Sequence, residues 1–171
     1  WEDVSARYQA EVANGFGNLA SRVIAMVTKY FDGEIPAVAV DPVIAELEKS
    51  VTHAANASID AFAINDALSG IWQLVDALNG YITENEPWAL AKDPANRARL
   101  ETVLASTVHG LGTLAILLAP VLPKATSRLW EAVGGEGPLD AQPIDLADEW
   151  SGASRVTPLE TSLFPQIEIE K

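Results

Sequence analysis

The sequence predicts an all-α fold, an antiparallel bundle of about five helices with an irregular C-terminal tail, and three observations predict it. Apolar residues recur at three- and four-residue spacings over most of the first 133 positions. Asp-Pro pairs at 41–42 and 93–94 and a Gly-Gly pair at 134–135 punctuate that pattern where helices start and stop. The connections left between them are short, which makes sequential helices antiparallel neighbours. At 171 residues with 49 % hydrophobic content, the chain can bury one real core.

The first helix is expected over about residues 4–30, capped by Asp3 or Ser5 and stopped by "FDGEIP". Asp41 followed by Pro42 is a cap with proline in the first turn, and it opens a second helix to about Ala57. A third begins near Phe62 and carries Ile64, Leu68, Ile71, Trp72, Val75, Leu78 and Ile82. It must end by Glu86, because the residue before Pro87 is pushed away from helical angles. Asp93-Pro94 repeats the cap-and-proline device and opens a fourth helix to about Ala119. A short fifth runs from near Pro123 to Val133 and closes on Gly134-Gly135. Residues 1–135 thus form the bundle. Residues 136–171 belong to the same domain as an acidic, proline-rich tail, packed mainly through Leu163, Phe164 and Ile167.

Charge and composition narrow the function. The net charge is −13, but residues 87–130 hold five basic and two acidic residues, whereas the segments on either side are strongly acidic. Any nucleic-acid contact is therefore local, centred near Lys92, Arg97 and Arg99, and not a broad phosphate-gripping surface. There is no cysteine, which removes disulfides, thiolate catalysis and cysteine-ligated zinc, and fits a reducing cytoplasm. The apolar run at 111–122 holds about a dozen residues and is broken by Pro120, where a membrane span needs about 20, so it reads as a buried helix. His53 and His109 have no spaced carboxylate or second histidine, so neither a metal site nor a catalytic residue is assigned. "NGFGN" lacks the third glycine and preceding strand of a dinucleotide fingerprint. The opening "WEDVSARYQ" has neither a methionine nor a signal-peptide pattern and reads as a piece of something longer.

Two features remain. In "NGFGNLASR", residues 14–22, two glycines interrupt a helix at about 1 kcal/mol each relative to alanine, which implies close packing or an approached surface. Asn18 and Arg22 then project about 40° apart from one face, and Lys29 returns to within about 20° of Asn18. The stripe offers an amide, a guanidinium and an ammonium; the plain alternative is a solvated face with a cation near the helix C-terminus. Trp88 follows Pro87 just before the basic segment. A lone tryptophan commonly packs under a loop, but beside basic residues it also serves as a stacking platform for an unpaired base.

"RYQAEVANGFGNLASRVIAMVTKYFDG", "INDALSGIWQLVDALNGYITENEPWALAKD" and "LLAPVLPKATSRLWEAVG", in that order, resemble the helical anticodon-binding domain of the methionyl-tRNA synthetase family. The resemblance covers almost the whole chain, from Arg7 to "LFPQIE", and "GNLASR", "KYFDG" and "EPWALAK" together carry it. It implies that Asn18, Arg22 and Trp88 read the CAU anticodon of tRNA(Met), with Lys29 and Lys92 as tRNA backbone contacts and Gly15 and Gly17 admitting a neighbouring helix or the tRNA. Unpaired bases need an aromatic surface and side chains that bond exposed edges, which agrees. One departure is Gly80, which stands where relatives often carry a basic residue. No "HIGH"-type motif, "KMSKS" or zinc knuckle occurs, and "PKATSR" at 123–128 opens a helix instead. The resemblance therefore implies a specificity module inactive by itself. Its partners would be the tRNA anticodon loop and a catalytic domain of the same polypeptide, which would use ATP and magnesium to activate methionine; neither a membrane nor DNA is implied. Two alternatives are the matching domain of another class I synthetase, separable by tRNA selectivity, and a helical interaction module without RNA, which would bury Trp88 and expose an apolar patch.

Overall fold

The structure, a computed structural model, describes residues 8–164, with side chains from residue 12 onward. The caps expected at Asp3 or Ser5, and Ile167, lie outside the described residues. Six α-helices follow in order: α1 (Asn18–Phe31), α2 (Pro42–Asp60), α3 (Ile64–Asn85), α4 (Pro87–Leu90), α5 (Arg97–Leu118) and α6 (Pro123–Ala132). A π-helical stretch, Tyr8–Gly17, leads into α1, and no strand occurs among the described residues. The all-α reading holds, and the added helix is the single turn α4.

Residues 8–17 differ from the expected uniform α-helix. Glycine at 15 and 17 lowers the cost of leaving α geometry. Phe16, fully buried, holds the register from the side, edge-on to Trp72 at 6.2 Å and tilted against Phe164 at 5.7 Å. A Cβ on Gly17 would come within 3.1 Å of Phe164, and the Gly15 carbonyl accepts from Asn79 Nδ2 at 3.2 Å. The close approach that the glycines imply is therefore to the C-terminal segment and α3. Asp32 (φ 53°) and Gly33 (φ 81°) then end α1 in left-handed turns.

The Asp41 carboxylate caps α2, accepting from the Val43 N–H at 3.1 Å. Ile71, Leu74, Val75, Leu78 and Ile82 bury one face of α3, whereas Ile64 at its start is exposed. α5 lies at the centre, buried on nearly every side. The helical run Pro94–Leu118, which includes a single 3₁₀ turn before α5, reaches a mean hydropathy of 1.4 over an 18-residue window that is 83 % buried inside the fold. That is a core helix, as the sequence predicts.

The C-terminal segment is irregular, as expected, but its anchoring is not confined to its apolar end. It forms 3₁₀ turns at Leu139–Ala141 and Ile144–Glu149 and one bridge from Arg155 to Glu34. Leu163 and Phe164 are buried, but so are Leu139, Ala147, Trp150 and Val156, so the anchoring is spread along the segment. Trp150 is the largest of these anchors. It packs against Trp130 at 5.2 Å and stacks on His109 at 5.1 Å, and its indole N–H donates to the His109 carbonyl at 3.0 Å. Isolated apolar anchors without helical spacing leave no periodic signal, which is why the sequence reads as a tail.

Candidate nucleic-acid interface

α1 and the turn α4 bring two of the singled-out residues together. The Arg22 guanidinium lies 5.9 Å from the centre of the Trp88 ring, at the outer edge of cation–π range. Trp88 is 38 % exposed, so its indole presents a face to solvent instead of packing beneath the loop. Local backbone geometry puts it there. Glu86 ends α3 in a left-handed conformation (φ 44°, ψ 61°), Pro87 is buried, and one helical turn then lifts Trp88 outward.

Asn18, the first residue of α1, is exposed but opens onto a neighbouring groove. That groove, about 530 Å³, runs along α1 between Asn18 and Lys29, with Ser21 and Thr28 on its wall and residues 158–162 opposite. Its size falls in the range of ligand clefts, about 300–1,000 Å³. Neither Arg22 nor Trp88 lines it. The three residues therefore flank two adjoining surfaces and not the single cleft that the helix stripe suggests. Lys29 sits at the far end of the groove, its ammonium 5.3 Å from the Tyr30 ring, and Lys92 is exposed just beyond α4.

The basic segment is largely committed to the fold. Arg97 pairs with Glu101 at 3.0 Å and lies over the Phe31 ring at 4.1 Å. Arg99 pairs with Asp41 at 2.8 Å and also donates to Asn85. Arg128 donates to the Thr161 and Ser162 carbonyls, and Arg155 to the Asp32 carbonyl. Among the described arginines, Arg22 alone bonds neither a carboxylate nor a carbonyl. At the expected centre of Lys92, Arg97 and Arg99, both guanidiniums therefore also serve the fold, each lying beside a carboxylate or carbonyl of another element.

Sequence reasoning also missed two polar clusters. Asp41 accepts from Arg99 and from the Tyr81 hydroxyl, each at 2.8 Å. The Arg99 hydrogen bond holds the Asp41 carboxyl below its ordinary value against the burial that raises it, while burial and then Asp41 push Tyr81 up to about 12. In the second cluster, the buried Glu48 carboxylate meets His109 Nδ1 at 2.9 Å, and His109 Nε2 faces the Trp150 carbonyl at 3.1 Å. Burial raises the Glu48 carboxyl. Burial alone would lower His109, but the hydrogen bond and charge of Glu48 outweigh it and hold the imidazole above its ordinary value. These partners lie 58 and 61 residues apart, so no spacing could reveal them. Glu48 is a carboxylate partner for His109 that no sequence spacing shows, and both ring nitrogens are occupied by structural bonds. His53 is exposed on α2. A cleft of about 630 Å³ between residues 35–40 and 150–154 reaches His109 but meets no free titratable pair there.

Residues 43–163 match the family described as the anticodon-binding domain of tRNA ligase. Among curated relatives, the methionine–tRNA ligase of Streptomyces coelicolor is 39 % identical over 98 % of this chain and 34 % of its own length. That of Enterococcus faecalis is 36 % identical over 99 % of this chain and 26 % of its own. A free-state Mycobacterium tuberculosis methionyl-tRNA synthetase superposes with a TM-score of 0.86 at 27 % identity, covering 99 % of this chain and 35 % of that one. The chain thus spans about a quarter to a third of the length of the relatives it matches.

Proposed function

The chain belongs to the anticodon-binding domain family of the tRNA ligases, and from that premise we propose that it reads the CAU anticodon of tRNA(Met) for a methionine–tRNA ligase. The observation that carries this reading is the Arg22–Trp88 pair: the guanidinium left free by the fold lies over a half-exposed indole. Trp88 supplies a π-face for an unpaired base, and Arg22 supplies a rigid fork of donors at its edge. Asn18 offers one acceptor and two donors in the adjoining groove, where Lys29 takes a phosphate; Lys92 takes another beyond α4. The catalytic step belongs to another part of such an enzyme, acting with ATP and magnesium in the cytoplasm. The residues here choose the tRNA and do no chemistry on it.

Binding of a CAU anticodon stem-loop, compared with one carrying a single anticodon change, tests the reading. Trp88→Ala should cost about 1–3 kcal/mol of binding by removing the stack. Arg22→Ala and Asn18→Ala should cost about 1–3 kcal/mol each, with little effect on folding. Arg22→Lys should not restore binding, since an ammonium cannot reproduce the planar fork. If all three alanine variants stay folded and bind both RNAs as the parent chain does, the reading is wrong.

A further inference from the structure

Trp88 rides on a single helical turn, and one turn is too short to hold its own orientation. What fixes it must act through the residues just before it. Glu86 adopts left-handed angles that non-glycine residues keep only when their surroundings impose them. Immediately upstream, Asn85 ends α3, and its Oδ1 accepts from two nitrogens of Arg99, Nε at 3.0 Å and Nη2 at 2.6 Å. The third nitrogen, Nη1, donates to Asp41 Oδ2 at 2.8 Å. Tyr81, one turn back on α3, donates to that same oxygen at 2.8 Å, and the Arg99 guanidinium lies 5.7 Å from the Tyr81 ring. The backbone N–H of Asp41 donates to Ser106 Oγ on α5 at 2.8 Å. The cap of α2, the last turn of α3 and the first turn of α5 thus converge on the residue next to the left-handed hinge.

We propose that Arg99, bridging Asn85 and Asp41, is a positioning residue for Trp88, setting affinity for an unpaired RNA base without touching it. The proposal rests on the reading of Trp88 as the stacking surface. A planar fork is required because two acceptors on different helices must be engaged in fixed directions at once; an ammonium makes point contacts and leaves one acceptor unpaired. Released from Arg99, Asn85 keeps only its Nδ2 bond to the Tyr81 carbonyl at 2.8 Å, within α3 itself. Its tie through Arg99 to α5 and to the cap of α2 is lost, and the hinge at Glu86 relaxes toward ordinary angles. The indole then leaves the position beneath Arg22.

The test uses Arg99→Lys and Asn85→Ala in the whole chain, each alone and combined with Trp88→Ala. Neither single variant changes charge, and alanine is well tolerated at a helix end. The readouts are binding of the CAU stem-loop, the melting temperature, and the indole N–H resonance of Trp88, assigned by its loss in Trp88→Phe. Each single variant should weaken binding about three- to tenfold, the size of effect carried through a packed network. Each should also move the Trp88 resonance in the free protein, and neither should weaken binding further once Trp88 is alanine. An unmoved resonance, even with a lowered melting temperature, assigns Arg99 to stability alone and overturns the proposal. So does an additive loss in the double variants, which would mean that Arg99 acts on the RNA directly. Normal binding by Trp88→Ala alone would instead remove the stacking reading, while the resonance would still decide whether Arg99 positions the indole.

Discussion

Arg22 and Asn18 sit one turn apart on α1, yet they line different surfaces, and that separation has a consequence for selectivity. Arg22 shares its surface with Trp88, whereas Asn18 opens onto the groove that ends at Lys29. Arg22→Ala and Asn18→Ala should therefore relax discrimination at different anticodon positions, read by binding a panel of single-base anticodon variants. Loss at one common position would contradict the two-surface geometry. The glycines make a second residue-scale contrast. A Cβ on Gly70 or Gly80 meets nothing within 4 Å, so alanine there should stabilise α3 by about 0.5–1 kcal/mol. A Cβ on Gly112 would meet the Trp150 indole, 2.1 Å from Cζ2 on the undistorted backbone. Gly112→Ala should destabilise by about 1–3 kcal/mol, the usual cost of overpacking, despite the better helix former. Denaturant titration of the three variants gives the signs directly. Helix propensity alone treats the three glycines alike, because only a distant tryptophan makes one of them obligatory.

At the scale of elements, the Glu48–His109–Trp150 cluster joins α2, α5 and the C-terminal segment through a shared proton. Nε2 must carry a hydrogen to donate to the Trp150 carbonyl, so Nδ1 and the Glu48 carboxylate share a second proton between them. Both groups have raised folded values, so the folded chain holds protons more tightly than the unfolded chain. Stability from His109 is then fully present below its unfolded value of about 6.5 and is lost as pH rises through the raised folded value. Asp41 has the opposite sign: its stabilisation is present above about pH 4 and is lost as pH falls through its lowered folded value. Melting temperatures should thus decline from near neutrality toward alkaline pH, and Glu48→Gln should flatten that decline. A wild-type profile flat across this range, or a slope unchanged in Glu48→Gln, would contradict the shared proton. The helices themselves were legible, since Asp41, Asp93 and the glycines at 134–135 are local signals. The cluster was not, because a buried pair leaves no mark on either helix's own periodicity.

For the whole molecule, the fold redistributes the positive charge that the sequence displays. With Arg97, Arg99, Arg128 and Arg155 bound to carboxylates or carbonyls, Arg22, Lys29, Lys49, Lys92 and Lys124 are the described cations that bond neither, and of these Arg22, Lys29 and Lys92 belong to the proposed tRNA surface. On the proposed reading Lys29 and Lys92 each take a phosphate, and about two such contacts to a single-stranded loop give a slope of log K against log salt of about −1.4. A slope as steep as −6 would require a phosphate surface that this charge arrangement lacks.

Helix positions, the caps of α2 and of the turn before α5, and the buried character of α5 rest on spacings within about one helix length. Backbone geometry and apolar periodicity settle them locally, which is why they can be read from the chain before folding. The resemblance carried by "GNLASR" and "EPWALAK" singled out Asn18, Arg22 and Trp88 by the same local signals. Which arginine stays free, which surface Asn18 and Arg22 face and what holds Trp88 outward depend on contacts between different elements, such as Arg99 with Asp41, 58 positions apart, and Arg128 with the Thr161 carbonyl, 33 positions apart. Those pairings exist only after the elements pack, since a guanidinium takes whichever carboxylate or carbonyl the packing leaves within 3 Å.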